Sequence, residues 1–150
     1  MKQVEGLKVD EIVFIDTETA RLEMELKEGT PTYEAWKYQF ERSTESKDKT
    51  LEEFYVEKSA LYAEFSRIVC ISVGRVRGGV LTIITYSDSC EKTMLEKFNA
   101  DLGVVTMKQP KTVLCGHSVV GFDIPFLMKR CMANGVKPNG LIDVGGAKPW

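Results

Sequence analysis

Histidine is nearly absent from this chain: His117 is the only one among 150 residues. The four cysteines, Cys70, Cys90, Cys115 and Cys131, make no Cys-x-x-Cys pair and show no metal-ligand spacing. That removes the usual Cys/His zinc motifs and leaves buried free thiols, as in a reducing cytosol, as the expected state. No apolar run approaches the ~20 residues of a membrane span, and the opening MKQVEGLKVD lacks the apolar stretch of a secretory leader. A soluble, cytoplasmic protein with no membrane partner is expected. Charge of one sign is also scarce, with a net charge of −2 and a pI near 5.6. This excludes a broad basic surface for gripping phosphate backbones, so any such contact must be local or lean on a bound cation. Repeats and low-complexity tracts are missing too.

What is present suffices for one domain spanning 1–150, since 43% of the residues are hydrophobic. "EIVFID" reads as a first strand, apolar on both sides. From Thr30 to Phe65 the pattern turns helical. Tyr33, Trp36 and Phe40 share one face, and Leu51, Phe54, Tyr55, Tyr62 and Phe65 share a second after the polar break RSTESKDK. This predicts two amphipathic helices inserted at about 30–66, their aromatics serving as core. "RIVCISVGRVR", Gly78-Gly79 and "VLTIITYS" predict a hairpin on a two-residue turn. A helix follows from Glu91 to Leu102, with Met94, Leu95, Phe98 and Leu102 inward. "TVLCGH" predicts a short fourth strand. "FDIPFLMKRCMANG" predicts a helix with Pro125 in its first turn and Gly135 past its end. "VKPNGLIDVGGAKPW" reads as loop. A strand reached through a helix lies parallel to a neighbour, so the fold class is α/β: a mixed sheet flanked by helices.

The chemistry centres on "VFIDTET". Asp16 and Glu18 are spaced by two and so share one face of the strand, at its expected carboxyl end. Adjacent carboxylates repel, and a divalent cation is one way to compensate them. Asp123 opens the helix after the fourth strand. Alone it reads equally as a helix cap. If strands one and four are neighbours, three acidic side chains converge on one corner, a donor set suited to Mg²⁺ or Mn²⁺. Two such ions can activate a water and stabilise a leaving oxygen in phosphodiester cleavage.

"VFIDTET", followed about a hundred residues later by "GHSVVGFDIPFL", resembles the DnaQ-like (DEDD) 3′–5′ exonucleases of the ribonuclease-H-like fold. The resemblance is closest to predicted exonucleases similar to the proofreading domain of family-B DNA polymerases. "LYAEFSRIVCISVG" and "GGAKPW" also resemble this subgroup. Asp16 and Glu18 match the first motif, Asp-x-Glu. Phe122 and Asp123 match the end of the second, Asn-x-x-x-Phe-Asp, with Ser118 in place of Asn. The resemblance implies that Asp16, Glu18 and Asp123 are catalytic and hold two Mg²⁺ or Mn²⁺ ions. Thr17 and Thr19 would lie beside the terminal nucleotide of a single-stranded DNA 3′ end. His117, Ser118 and Phe122 complete the implied substrate side, with Phe122 expected mainly to pack the strand–helix corner. His117 reads foremost as a strand-end hydrogen-bonding residue.

The family's third motif, a His or Tyr with a later Asp, lies beyond the "KPW" phrase, and the sequence given ends at Trp150. The expectation is therefore an incomplete fold, with little activity alone and apolar sheet surface open to self-association or a partner. Asp143 is a minor candidate acid. Lys129 and Arg130 read as a solvated helix face rather than as phosphate contacts. The second reading is an impaired nucleic-acid-binding or protein-interaction module of the same fold. A dedicated RNA binder is disfavoured by the lack of a basic, aromatic-rich tract.

Overall fold

The computed structural model describes residues 6–143. The "GGAKPW" phrase lies outside them. Eight principal elements follow one another: β1 (Ile12–Arg21), α1 (Pro31–Arg42), α2 (Leu51–Lys58), β2 (Ser66–Arg77), β3 (Val80–Tyr86), α3 (Glu91–Lys108), β4 (Val113–Cys115) and α4 (Asp123–Ala133). The strands form one sheet in the order β3-β2-β1-β4. β4 runs parallel to β1, with Ile12 opposite Val113 and Phe14 opposite Cys115. β2 and β3 form the expected antiparallel hairpin, Arg77 opposite Val80, across glycines at φ +56° and +78°. This is the expected mixed α/β sheet.

Two compact units make up the chain. One takes in residues up to Glu18 and from Ile68 onward; the other is Thr19–Arg67. In the first, β1 alternates strictly: Val13, Ile15 and Thr17 are buried while Phe14, Asp16 and Glu18 are exposed. Val13 lies beside Phe98 and Leu102 of α3, whose Met94, Leu95, Phe98 and Leu102 are buried as their spacing requires. The Tyr86 ring stands edge-on to Phe98 at 5.6 Å, and its hydroxyl donates to Asp101 Oδ2 at 3.0 Å. Burial, reinforced by Asp101, pushes the Tyr86 phenol up to about 12. α3 continues to Lys108, beyond the Leu102 expected from its apolar spacing. It stops at Gln109, the residue before Pro110, where helical backbone is disfavoured.

α4 buries Phe126, Leu127 and Cys131 and ends at Gly135, φ +65°. Arg130 corrects the sequence reading. It does not face solvent: its guanidinium donates to both oxygens of Glu91, Nε to Oε1 at 2.9 Å and a terminal nitrogen to Oε2 at 2.5 Å. Glu91 also accepts from the Ile68 N–H at 2.8 Å and from Asn134 at 3.0 Å. Burial raises the Glu91 carboxyl, but these hydrogen bonds outweigh it and hold the group below its ordinary value. One carboxylate thus ties α3, α4 and β2 together. Cysteine burial is a second correction. Cys131 is buried and Cys70 partly so, but Cys90 and Cys115 are exposed, because each sits at or beside the end of an element.

In the second unit, Thr30 caps α1 by accepting the Tyr33 N–H at 3.2 Å, and Pro31 takes the first helical position. Thr50 and Glu53 form a reciprocal capping box on α2. The expected aromatic core is present. Trp36 is fully buried, its ring 5.0 Å from Phe65, 5.2 Å from Tyr55 and 5.4 Å from both Phe54 and Tyr62. These aromatics are the core of this unit. No helix among the described residues is long and apolar enough to cross a membrane.

Candidate active site at β1 and the β4–α4 turn

β1 does not end at Asp16. It runs on to Arg21, with β-favouring threonines at 17 and 19, so both acids of the first motif sit within the strand. Consecutive same-face residues lie about 7 Å apart along a strand, close enough for the two carboxylates to act on one ligand. Beside them is an apolar groove of about 460 Å³, lined by Phe14, Gly74, Val76, Leu81, Ile83 and Gly116, with Asp16 on its wall.

β4 delivers the second motif to the same place. Gly116 is pressed against β1: a Cβ there would stand 2.4 Å from the Ile15 carbonyl oxygen, which no side chain tolerates. Ser118 follows with φ +53°, the left-handed region. Its carbonyl accepts the N–H groups of Gly121 and Phe122 at 2.9 and 2.8 Å, which turns the chain into α4. Asn is better suited than Ser to such a backbone. The Phe122 ring lies 5.2 Å from that of Phe126, one turn further along α4.

Asp123 is the first residue of α4 and is only 3% exposed. The N-cap position falls on Phe122, so Asp123 is not the cap. Instead, Oδ1 of Asp123 accepts a 2.7 Å hydrogen bond from the Thr17 hydroxyl, across 106 residues of sequence. Motif two therefore reaches motif one, but through the residue between the two acids. Thr17 faces the core, opposite to Asp16 and Glu18. The structure brings all three acids to one level of β1, with Asp123 on one side of the strand and the pair on the other.

This bears directly on a bound cation. Asp16 and Glu18 are exposed oxygen donors on one face, and suit Mg²⁺ or Mn²⁺. The full set of three does not fit a two-ion centre in this arrangement. Among the described residues no three His, Cys, Asp or Glu side chains stand together as an ion site.

The remaining candidates are placed as follows. The Thr19 hydroxyl donates to the Ala60 carbonyl at 2.7 Å and is committed to that contact. His117 and Ser118 are exposed in the β4–α4 turn. Lys129 is exposed on α4. Asp143 is exposed, and its backbone N–H donates to the Asn139 carbonyl at 3.0 Å. Sequence reasoning missed the Thr17–Asp123 bond. The signal was available, since a residue between two same-face strand positions must point the other way. No protein-family model matches the chain, and no curated protein matches it.

Proposed function

We propose that this chain is a DnaQ-like 3′–5′ exonuclease domain that handles the 3′ end of a DNA strand, with Mg²⁺ or Mn²⁺ at Asp16 and Glu18. The observation that carries the reading is the Thr17–Asp123 hydrogen bond, which joins the two sequence motifs across the parallel β1–β4 pair. The apolar groove supports it, because a wall of Phe14, Val76, Leu81 and Ile83 beside Asp16 offers a nucleobase a surface next to the acids. When bound, the cation supplies charge neutralisation for the carboxylates and the substrate phosphate. Asp16 and Glu18 hold it on the open face. With Asp123 committed to Thr17, the domain as arranged is a slow catalyst.

A second reading has its own observation. Asp123 is buried and hydrogen-bonded, as in a structural residue, which favours a module that binds nucleic-acid ends without cutting them. A 5′-labelled single-stranded oligonucleotide incubated with excess protein and Mn²⁺ separates the two. The exonuclease reading expects a slow ladder shortened from the 3′ end that Asp16→Ala abolishes. Binding without a ladder supports the module. A ladder of equal intensity in wild type and Asp16→Ala contradicts the assignment of Asp16.

A further inference from the structure

β3 is an outer strand of the sheet, and its side chains are open: Val80, Leu81, Ile83 and Ile84 are between 51% and 65% exposed. Outer strands are ordinarily guarded by a charge, a proline or a bulge, because their free N–H and C=O groups template pairing with another chain. The segment VLTIITY contains no charge and no proline. It pairs with β2 without interruption, from Arg77 opposite Val80 to Ile71 opposite Tyr86, so it has no bulge either.

The hairpin decides which backbone groups are free. A two-residue turn makes Arg77 and Val80 a hydrogen-bonded pair. Alternation then points the N–H and C=O of Leu81, Ile83 and Thr85 away from β2. We propose that β3 pairs antiparallel with β3 of a second copy of this chain, Ile83 facing Ile83 across a two-fold axis. In that register each outward N–H and C=O of Leu81, Ile83 and Thr85 finds a partner. Leu81 of one copy faces Thr85 of the other, and Thr82 faces Ile84. β-branched residues at these positions make favourable cross-strand pairs.

Charge selects this occupant and this direction. β3 is preceded by Arg77 and followed by Asp88, both exposed. Antiparallel self-pairing sets Asp88 of each copy level with Gly78 of the other, next to Arg77. Parallel pairing would set Asp88 against Asp88. The paired edge lengthens the sheet at the side where Leu81 and Ile83 also line the groove beside Asp16, and self-association is read without any nuclease assay.

Sedimentation velocity up to about 0.5 mM chain tests it. The wild type forms a concentration-dependent dimer, and Ile83→Lys raises the dissociation constant by more than about tenfold with an unchanged circular-dichroism spectrum. Arg77→Glu and Asp88→Arg each weaken self-association. Mixing the two variants restores it, because every facing pair is then of opposite charge; the mixed dimer is favoured by about tenfold. Mild oxidation cross-links Ile83→Cys to itself more than Ile84→Cys, over the background of the native thiols, and this carries the test should Ile83→Lys unfold. A wild type monomeric at every concentration, a dimer indifferent to Ile83→Lys, or no recovery in the mixture overturns the proposal.

Discussion

The two faces of β1 are built from alternating residues of one short segment, yet they meet opposite fates. Val13, Ile15 and Thr17 are buried and meet helices, as the Thr17–Asp123 bond to α4 shows. Phe14, Asp16 and Glu18 are exposed, Phe14 at 37%, and the first two line an apolar groove. Burial on the first face is complete: Phe98 is 1% exposed and Leu127 not at all. A protein that needed β1 only as scaffold would not place two carboxylates and an exposed phenylalanine in a row on the other side. The difference separates stability, which resides on the helix-covered face, from the proposed chemistry, which is assigned to the bare one.

Substitutions on the two faces sharpen the contrast. Phe98→Ala costs about 3–5 kcal/mol in a urea melt, because it removes a closely packed ring from the covered side. Ile83→Thr on the open side changes stability by less than about 0.5 kcal/mol, measured at a concentration where the chain is monomeric. Similar losses for the two would erase the distinction between the faces.

Arg130→Met strands Glu91 and costs about 3–5 kcal/mol, since a buried charge is left without its partner. The loss depends on pH. The folded Glu91 carboxyl titrates below its ordinary value of 4.5, so its contribution is present above that value and disappears as pH falls through the depressed one. Melts of wild type and Arg130→Met therefore draw together in acid. A gap that stays constant from neutral pH to well below 4.5 would show that the ion pair is not its source.

Thr17→Val keeps the shape of the side chain but removes the donor to Asp123, at a cost of about 1–3 kcal/mol. The same variant frees Asp123 from the Thr17 hydroxyl and tests whether Thr17 holds it away from the acid pair. Faster Mn²⁺-dependent trimming at lower stability marks Thr17 as a restraint. Lower stability with unchanged trimming marks it as scaffold only. The smallest effect is expected at Ser118, whose φ of +53° suits Asn better than Ser. Ser118→Asn raises stability by about 0.5 kcal/mol, checked by thermal unfolding.

Much of this fold was readable from residue patterns. The hairpin followed from Gly78-Gly79 between two β-rich runs, and the inward face of α3 from the spacing of Met94, Phe98 and Leu102. Both depend on local periodicity, which is a property of sequence. The length of β1 was not readable, because its continuation to Arg21 depends on a neighbouring strand to supply the hydrogen-bond ladder. Arg130 misled for a similar reason. Its helix position is compatible with solvent, and only the approach of Glu91 from α3 draws it inward. At the candidate site, the spacing of Asp16 and Glu18 placed them correctly on a common face. The side from which Asp123 approaches was set by the path of the β4–α4 turn, where Gly116 touches the Ile15 carbonyl and Ser118 reverses the chain. Neither contact leaves a periodic trace.

The bare face of β1 is the functional one if the acid pair takes up a divalent ion. Titrating Mn²⁺ into isotope-labelled protein and following amide line broadening tests this at individual residues. The assignment predicts that signals of 14–18 broaden first at low Mn²⁺, and that Asp16→Asn abolishes this selectivity while the folded spectrum persists. Uniform weak broadening, or selective broadening unchanged in Asp16→Asn, would contradict it.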